Sequence, residues 1–180
     1  MGTPKEPKPG KYFVALLSSE ADLLSAVETD LCALLGAIDG RSQILPWTAS
    51  CFYEKEMGAG LLRRFLSFEP LLSPGTLAEI KLATQYVEAR YRRAPRDAGG
   101  RCINLDPGYL EAGKVVLAST KNASQRIYLR GGIFAEATLL YFDAAFHGCA
   151  YTYPDYLWSE TLRFFTDCRA RYVEQLRQLG

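Results

Sequence analysis

Asn104 and Asp106 stand two residues apart in "CINLDPG", so a strand there projects both side chains to one side. Lys114 and Lys121 bracket the next apolar run, "KVVLASTK", with Ser119 and Thr120 beside Lys121. Arg126, Tyr128, Glu136 and Thr138 fall on one face of a hairpin formed by "RIYLRGGIFAEATLLYF". Charges on a strand face that also bears Phe134 and Leu140 need partners or solvent. Lysine and arginine gathered this way suit an anionic ligand. Asp106 or Glu136 would then accept a proton or hold a divalent metal, the one cofactor these residues suggest. The catalytic candidates are Asp106 and Glu136, and the ligand-binding candidates are Asn104, Lys114, Lys121, Arg126, Tyr128 and Tyr153. Tyr153 comes from "YTYPDYLW", whose aromatics read either as a stacking platform or as a packed loop before a helix capped by Asp155. The plain alternative has Asp106 capping its own turn and Arg126 pairing with Glu136 across the hairpin.

Other residues that invite chemistry weaken on inspection. "GYLEAGK" has the outline of a phosphate-binding loop, Gly108 followed by Gly113 and Lys114. Val115 stands where a metal-binding hydroxyl belongs, and "VVLAST" reads as strand rather than helix. Asp106-Pro107-Gly108 is expected to form a β-turn. The single histidine, His147, rules out paired-histidine chemistry, and no Gly-x-Ser-x-Gly elbow accompanies it. Cys149 beside it reads as a buried thiol. Glu54 and Glu56 of "YEKEMG" read as solvated loop charges, Lys81 as a lysine snorkelling from a helix, and Arg90, Arg92, Arg93, Arg96 and Arg101 as cations around a helix C-terminus.

These side chains need a frame. The 180 residues, 48% hydrophobic and 12% aromatic, are enough for one domain with a substantial core. A formal net charge of +1 argues against broad wrapping of nucleic acid. Five scattered cysteines without metal-ligand spacing, and no apolar run of membrane-spanning length, point to a cytoplasmic protein. Residues 1–10 are expected to be a mobile Lys/Pro-rich tail, and 11–180 a single domain.

"KYFVALL" reads as a strand, and Leu23, Leu24, Val27, Leu31, Leu34, Leu35 and Ile38 as one helix face ending at Asp39-Gly40. "SQILPWTASCFY" and "LLRRFLSFEPLL" read as extended segments. Ser73-Pro74 opens a second helix with a stripe at Leu77, Ile80, Thr84, Val87 and Tyr91, and "CINLD" follows as a strand. This order, βαββαβ, predicts an α+β fold with a ferredoxin-like core. Further antiparallel strands and a C-terminal amphipathic helix, starting at Asp155 or Ser159, extend it. In the hairpin at Arg130-Gly131-Gly132, a three-residue turn gathers Ile127, Leu129, Ile133 and Ala135 on one face. It sets Tyr128 opposite Phe134 and Arg126 opposite Glu136.

The segments "YEKEMG", "INLDPGYL", "KVVLASTK", "QRIYL", "GIFAEATLLYF" and "YTYPDY", in this order, resemble the bacterial domain-of-unknown-function family 4416 over Lys11–Tyr172. The chain departs from the pattern at Gln125, where members are expected to carry histidine. The resemblance implies a stand-alone cytoplasmic bacterial protein and no particular activity. The residues themselves favour an enzyme or binder of a small anionic ligand, phosphorylated or nucleotide-like. An RNA-binding module and an assembly or interaction protein are the alternatives.

Overall fold

The run Lys11–Leu17 forms β1 (Gly10–Ser18), which is buried along its whole length. A strand with no polar alternation must be covered on both faces, and β1 is. Tyr12, Val14 and Leu16 pack with Leu24, Leu31, Ile80 and Leu105 in one core. Phe13 and Ala15 pack with Phe65, Leu117, Phe164 and Phe165 in another. The structure is a computed structural model and describes residues 2–92 and 100–179. On one side of the sheet lie α1 (Ala21–Ala26) and α2 (Glu28–Leu35). A single turn, α3 (Glu54–Met57), sits in a loop, and α4 (Leu77–Arg90) joins the first layer. The long α5 (Ser159–Leu179) covers the other side.

The remaining strands are β2 (Ile38–Arg41), β3 (Leu45–Pro46), β4 (Leu62–Leu72), β5 (Ile103–Glu111), β6 (Lys114–Ser119), β7 (Ile127–Arg130), β8 (Ile133–Phe142) and β9 (Ala145–Gly148). They join β1 in a nine-stranded sheet of order β2-β4-β1-β5-β6-β8-β7, with β3 on β4 and β9 on β8. Every pairing is antiparallel. The architecture is α+β. Among the described residues no helix is long and apolar enough to cross a membrane.

Several local expectations change. The first helix divides at Val27 and ends at Gly36, whose φ of 91° suits glycine. Asp39-Gly40 does not stop it but lies inside β2. Of "SQILPWTASCFY" only Leu45–Pro46 is strand. Ser73 does act as a cap, accepting from Gly75 N at 3.2 Å before α4. Asp106-Pro107-Gly108 is not a turn: all three residues lie within β5, and the chain reverses between Glu111 and Lys114. Lys114 therefore opens a strand, and the phosphate-loop outline is a coincidence of spacing. Asp155 does not cap α5, which begins at Ser159. Tyr128 does pair opposite Phe134, but not through a three-residue turn: Arg130 pairs opposite Ile133 across the two residues Gly131-Gly132, both at positive φ, and a bulge at Leu129 makes up the difference. The apolar face chosen to fix the register does not form: Ile127 and Leu129 are exposed, because β7 is the outermost strand. The Arg-rich stretch after α4 falls partly outside the described residues, Arg93 and Arg96 included.

Candidate functional site

β5 and β6 pair only from Gly108↔Leu117 to Glu111↔Lys114. Beyond that, Ile103–Pro107 stays with β1 while β6 stays with β8, and the two strands part. The Leu105 peptide thereby loses its strand partner, and a buried peptide group left bare is costly. α4 supplies substitutes. Glu88 Oε1 accepts from Leu105 N at 2.6 Å, and Lys81 Nζ donates to Leu105 O at 2.8 Å. Lys81 and Glu88 are seven residues apart, so two helical turns place them on one face. Pro107 lies on the same strand edge, two residues on, and has no N–H to satisfy.

Between the parted strands lies a cavity of about 360 Å³, within the range of small-molecule sites. Its walls come from β4, β5, the end of β6, α4, the loop Trp47–Tyr53 and the segment Tyr153–Tyr156. On the floor, Asp106 Oδ1 accepts from Lys81 Nζ at 2.9 Å and Oδ2 from Asn104 Nδ2 at 2.5 Å. Burial pushes the Asp106 carboxyl up. The charges of Lys81 and Arg63 and the hydrogen bonds from Lys81 and Asn104 outweigh it, holding Asp106 below the usual aspartate value. Asn104 Oδ1 accepts from Arg101 Nη1 at 2.9 Å, and Arg101 grips both oxygens of Glu56 at 2.8 and 2.9 Å. Glu88 lies 3.7 Å from Arg101. Burial raises its carboxyl despite Lys81 and the Leu105 N–H.

On a second wall, Arg63 pairs with Asp155 at 3.0 Å, both side chains buried. Burial raises the Asp155 carboxyl, and Arg63 opposes that rise. The Arg63 guanidinium also lies 4.6 Å from the centre of the Trp47 ring, and its Nη1 has no hydrogen-bond partner among the described residues. Tyr53 faces these groups, its phenol pushed up to about 12 by burial and by the charge of Asp106.

Arg126 organises the mouth. Its Nε and Nη2 reach Glu136 at 3.1 and 3.4 Å. Its Nη1 donates to Ser119 Oγ at 2.6 Å and Lys121 O at 2.9 Å, and Nη2 to Tyr153 Oη at 2.9 Å. The Lys121 ammonium lies 4.7 Å from the Phe52 ring centre. Among the described residues it is the one lining cation without a carboxylate partner.

The structure thus brings Asn104, Asp106, Lys121, Arg126 and Tyr153 to one cavity. Glu136 stands behind its wall, taken by Arg126 and by the Gln125 amide at 2.9 Å. Lys114 is at the opposite end of β6, paired with Glu111 at 2.8 Å. Tyr128 is exposed, its ring 5.4 Å from that of Phe134. Neither joins the group. Two residues given plain readings line it instead: Lys81 is buried rather than snorkelling, and Arg101 lines the cavity rather than a helix end, with Glu56 bridged to Arg101 outside the lining. His147 stacks on Phe142 at 3.9 Å, away from the cleft. Sequence reasoning also missed Glu88, Arg63 and Asp155. The available signals were a charge pair at i, i+7 beside the apolar stripe of α4, and an arginine alternating with Phe65 and Ser67 in β4. Among the described residues no three His, Cys, Asp or Glu side chains come together to hold a metal ion.

Residues 8–172 match a family model described as Domain of unknown function (DUF4416). No curated protein and no solved structure matches the chain.

Proposed function

We propose that this chain, which belongs to the family described as Domain of unknown function (DUF4416), binds a small anionic ligand, phosphorylated or nucleotide-like, in the cleft between β5 and β6. One observation carries the reading. Each carboxylate of the lining faces a cation, Asp106 with Lys81, Glu88 with Arg101 and Asp155 with Arg63, whereas Lys121 has no carboxylate partner among the described residues and lies against the Phe52 ring. A cation held by a ring keeps its charge available to an anion. Lys121 is the anchor, with Asn104 and Tyr153 lining the space around the ligand. Asp106, held ionised, is the candidate proton acceptor. Glu136 serves by holding Arg126 in place.

The fold reading belongs to the same proposal. The chain order of β1, α1–α2, β2, β4, α4 and β5, with the sheet order β2-β4-β1-β5, supports a ferredoxin-like core. A sheet used for RNA recognition offers one open face, and here α5 packs against the side that the other helices leave. All five cysteines are free thiols, which suits the bacterial cytoplasm as a setting. An interaction role has one observation in its favour, the exposed Ile127, Tyr128 and Leu129 on the outermost strand.

The test is a thermal-shift screen of nucleotides, phosphorylated metabolites and divalent ions on wild type and Lys121→Ala. A ligand at a hundred times its Kd stabilises by about 2.7 kcal/mol, or roughly 5–10 °C for a domain of this size. We expect such a shift from an anion in wild type and its loss in Lys121→Ala. No shift from any compound, or an equal shift in the variant, refutes the reading.

A further inference from the structure

We infer that the ligand has two ends, an oxyanion held by Ser119 and Lys121 and a planar ring set against the aromatic wall, the chemistry of a nucleoside monophosphate. This rests on the anionic-ligand reading and narrows it. A serine hydroxyl has two lone pairs and one proton. Ser119 Oγ accepts from Arg126 Nη1 at 2.6 Å and from Lys121 N at 3.1 Å. With both lone pairs engaged, the hydroxyl proton is turned away from these donors, in a residue that lines the cavity. Ser119 is therefore a donor rather than a nucleophile, and an oxyanion beside the Lys121 ammonium is the partner it fits.

Arg126 is a positioning residue. Its N–H groups are spent on Glu136, Ser119, Lys121 O and Tyr153, so it fixes the oxyanion end and one aromatic side chain together. The ring end is drawn from two segments. Phe52 and Tyr153 are exposed at the mouth, while Trp47 and Tyr53 line the cavity from the loop that bears Phe52. Large exposed aromatic faces around a charged pocket accommodate a flat ring of any base. The volume of about 360 Å³ suits one small ligand.

Both tryptophans of the chain report on this place. Trp47 lines the cavity, and the Trp158 ring lies 6.1 Å from it. Tryptophan emission is followed while the protein is titrated with four nucleoside monophosphates, their nucleosides, ribose 5-phosphate, inorganic phosphate and a short single-stranded oligoribonucleotide. We expect at least one monophosphate to bind about tenfold more tightly than its nucleoside and than ribose 5-phosphate. Ser119→Ala weakens that nucleotide about tenfold and leaves the nucleoside unchanged. Phe52→Ala weakens the nucleoside as well as the nucleotide, and weakens the nucleotide more than ribose 5-phosphate, because the ring face is lost to the base-bearing ligands alone whereas every anion shares the loss of the Lys121 seat. A melting curve of each variant confirms folding.

If ribose 5-phosphate or inorganic phosphate binds as tightly as the best nucleotide, the ring falls and the anionic reading stands. If nucleosides equal nucleotides, or nothing binds, both fall. An unchanged Ser119→Ala removes Ser119 from the oxyanion end. Tighter binding of the oligoribonucleotide than of any monomer overturns the single-ligand form in favour of RNA.

Discussion

Replacing Arg126 with methionine keeps a long apolar stem and removes the guanidinium donors that hold Glu136, Ser119, the Lys121 carbonyl and Tyr153 together. The Arg126 and Glu136 side chains are 4% and 1% exposed, so the variant strands a carboxylate where water does not reach. Among the described residues, the side-chain donor left to Glu136 is the Gln125 amide. Removing one partner of a buried ion pair costs about 3–5 kcal/mol, a large share of the roughly 5–15 kcal/mol that holds a domain folded. In melting temperature that is about 6–20 °C. Adding Glu136→Gln to the variant removes the stranded charge, and we expect it to restore about 2 kcal/mol relative to Arg126→Met alone. Urea unfolding of wild type, both single variants and the double variant, followed by tryptophan emission at pH 7, gives the coupling directly. A loss below about 1 kcal/mol in Arg126→Met, or simple additivity in the double variant, would refute the clamp.

Two further predictions concern the parted strands. In Glu88→Gln the amide oxygen still accepts from Leu105 N while the buried charge is gone. Because burial raises the Glu88 carboxyl in the folded protein, ionising it is a cost that is absent below the ordinary glutamate value of about 4.3 and complete above the raised one. The variant should therefore match or exceed wild type at pH 7, with the difference shrinking toward pH 4 in urea titrations. A difference that grows toward acid contradicts the assignment. At Gly108, a β-carbon would collide with the Val116 carbonyl oxygen and the Phe13 ring. Gly108→Ala should cost about 1–3 kcal/mol in the urea midpoint analysis, and a neutral effect would mean that strand and ring yield easily.

What the sequence made legible is what depends on neighbours along the chain. β1 announces burial on both faces by having no polar alternation, and Ser73-Pro74 marks the approach to α4 through local capping. The pairing of Arg126 with Glu136 follows from the hairpin register, as the plain reading had it. Asn104 and Asp106 share a side because strands alternate, whatever the turn chemistry of Asp-Pro-Gly. That turn fails because local propensity yields to the ladder with β1, where Pro107 pairs opposite Val14. The spacing of Lys81 and Glu88 could place them on one face of α4, but what they do there was illegible for a different reason. Their role exists only because β5 leaves β6 at one end, and no periodicity within α4 encodes the separation of two strands that follow it. Lys114 misled because it shares a strand with the Ser119 end of the site, and a strand has two ends.

The parting of β5 from β6 also bears on how the fold could go wrong. In most sheets an open seam between neighbouring strands tends to zip shut, since every added rung satisfies two peptide groups at once. Here Lys81 and Glu88 act as wedges: closing the seam would displace an ammonium and a carboxylate from the Leu105 peptide and leave them without their backbone contacts. The hollow is thus an enforced vacancy rather than slack in the packing, and a variant with apolar residues at both helix positions should be the one in which it heals.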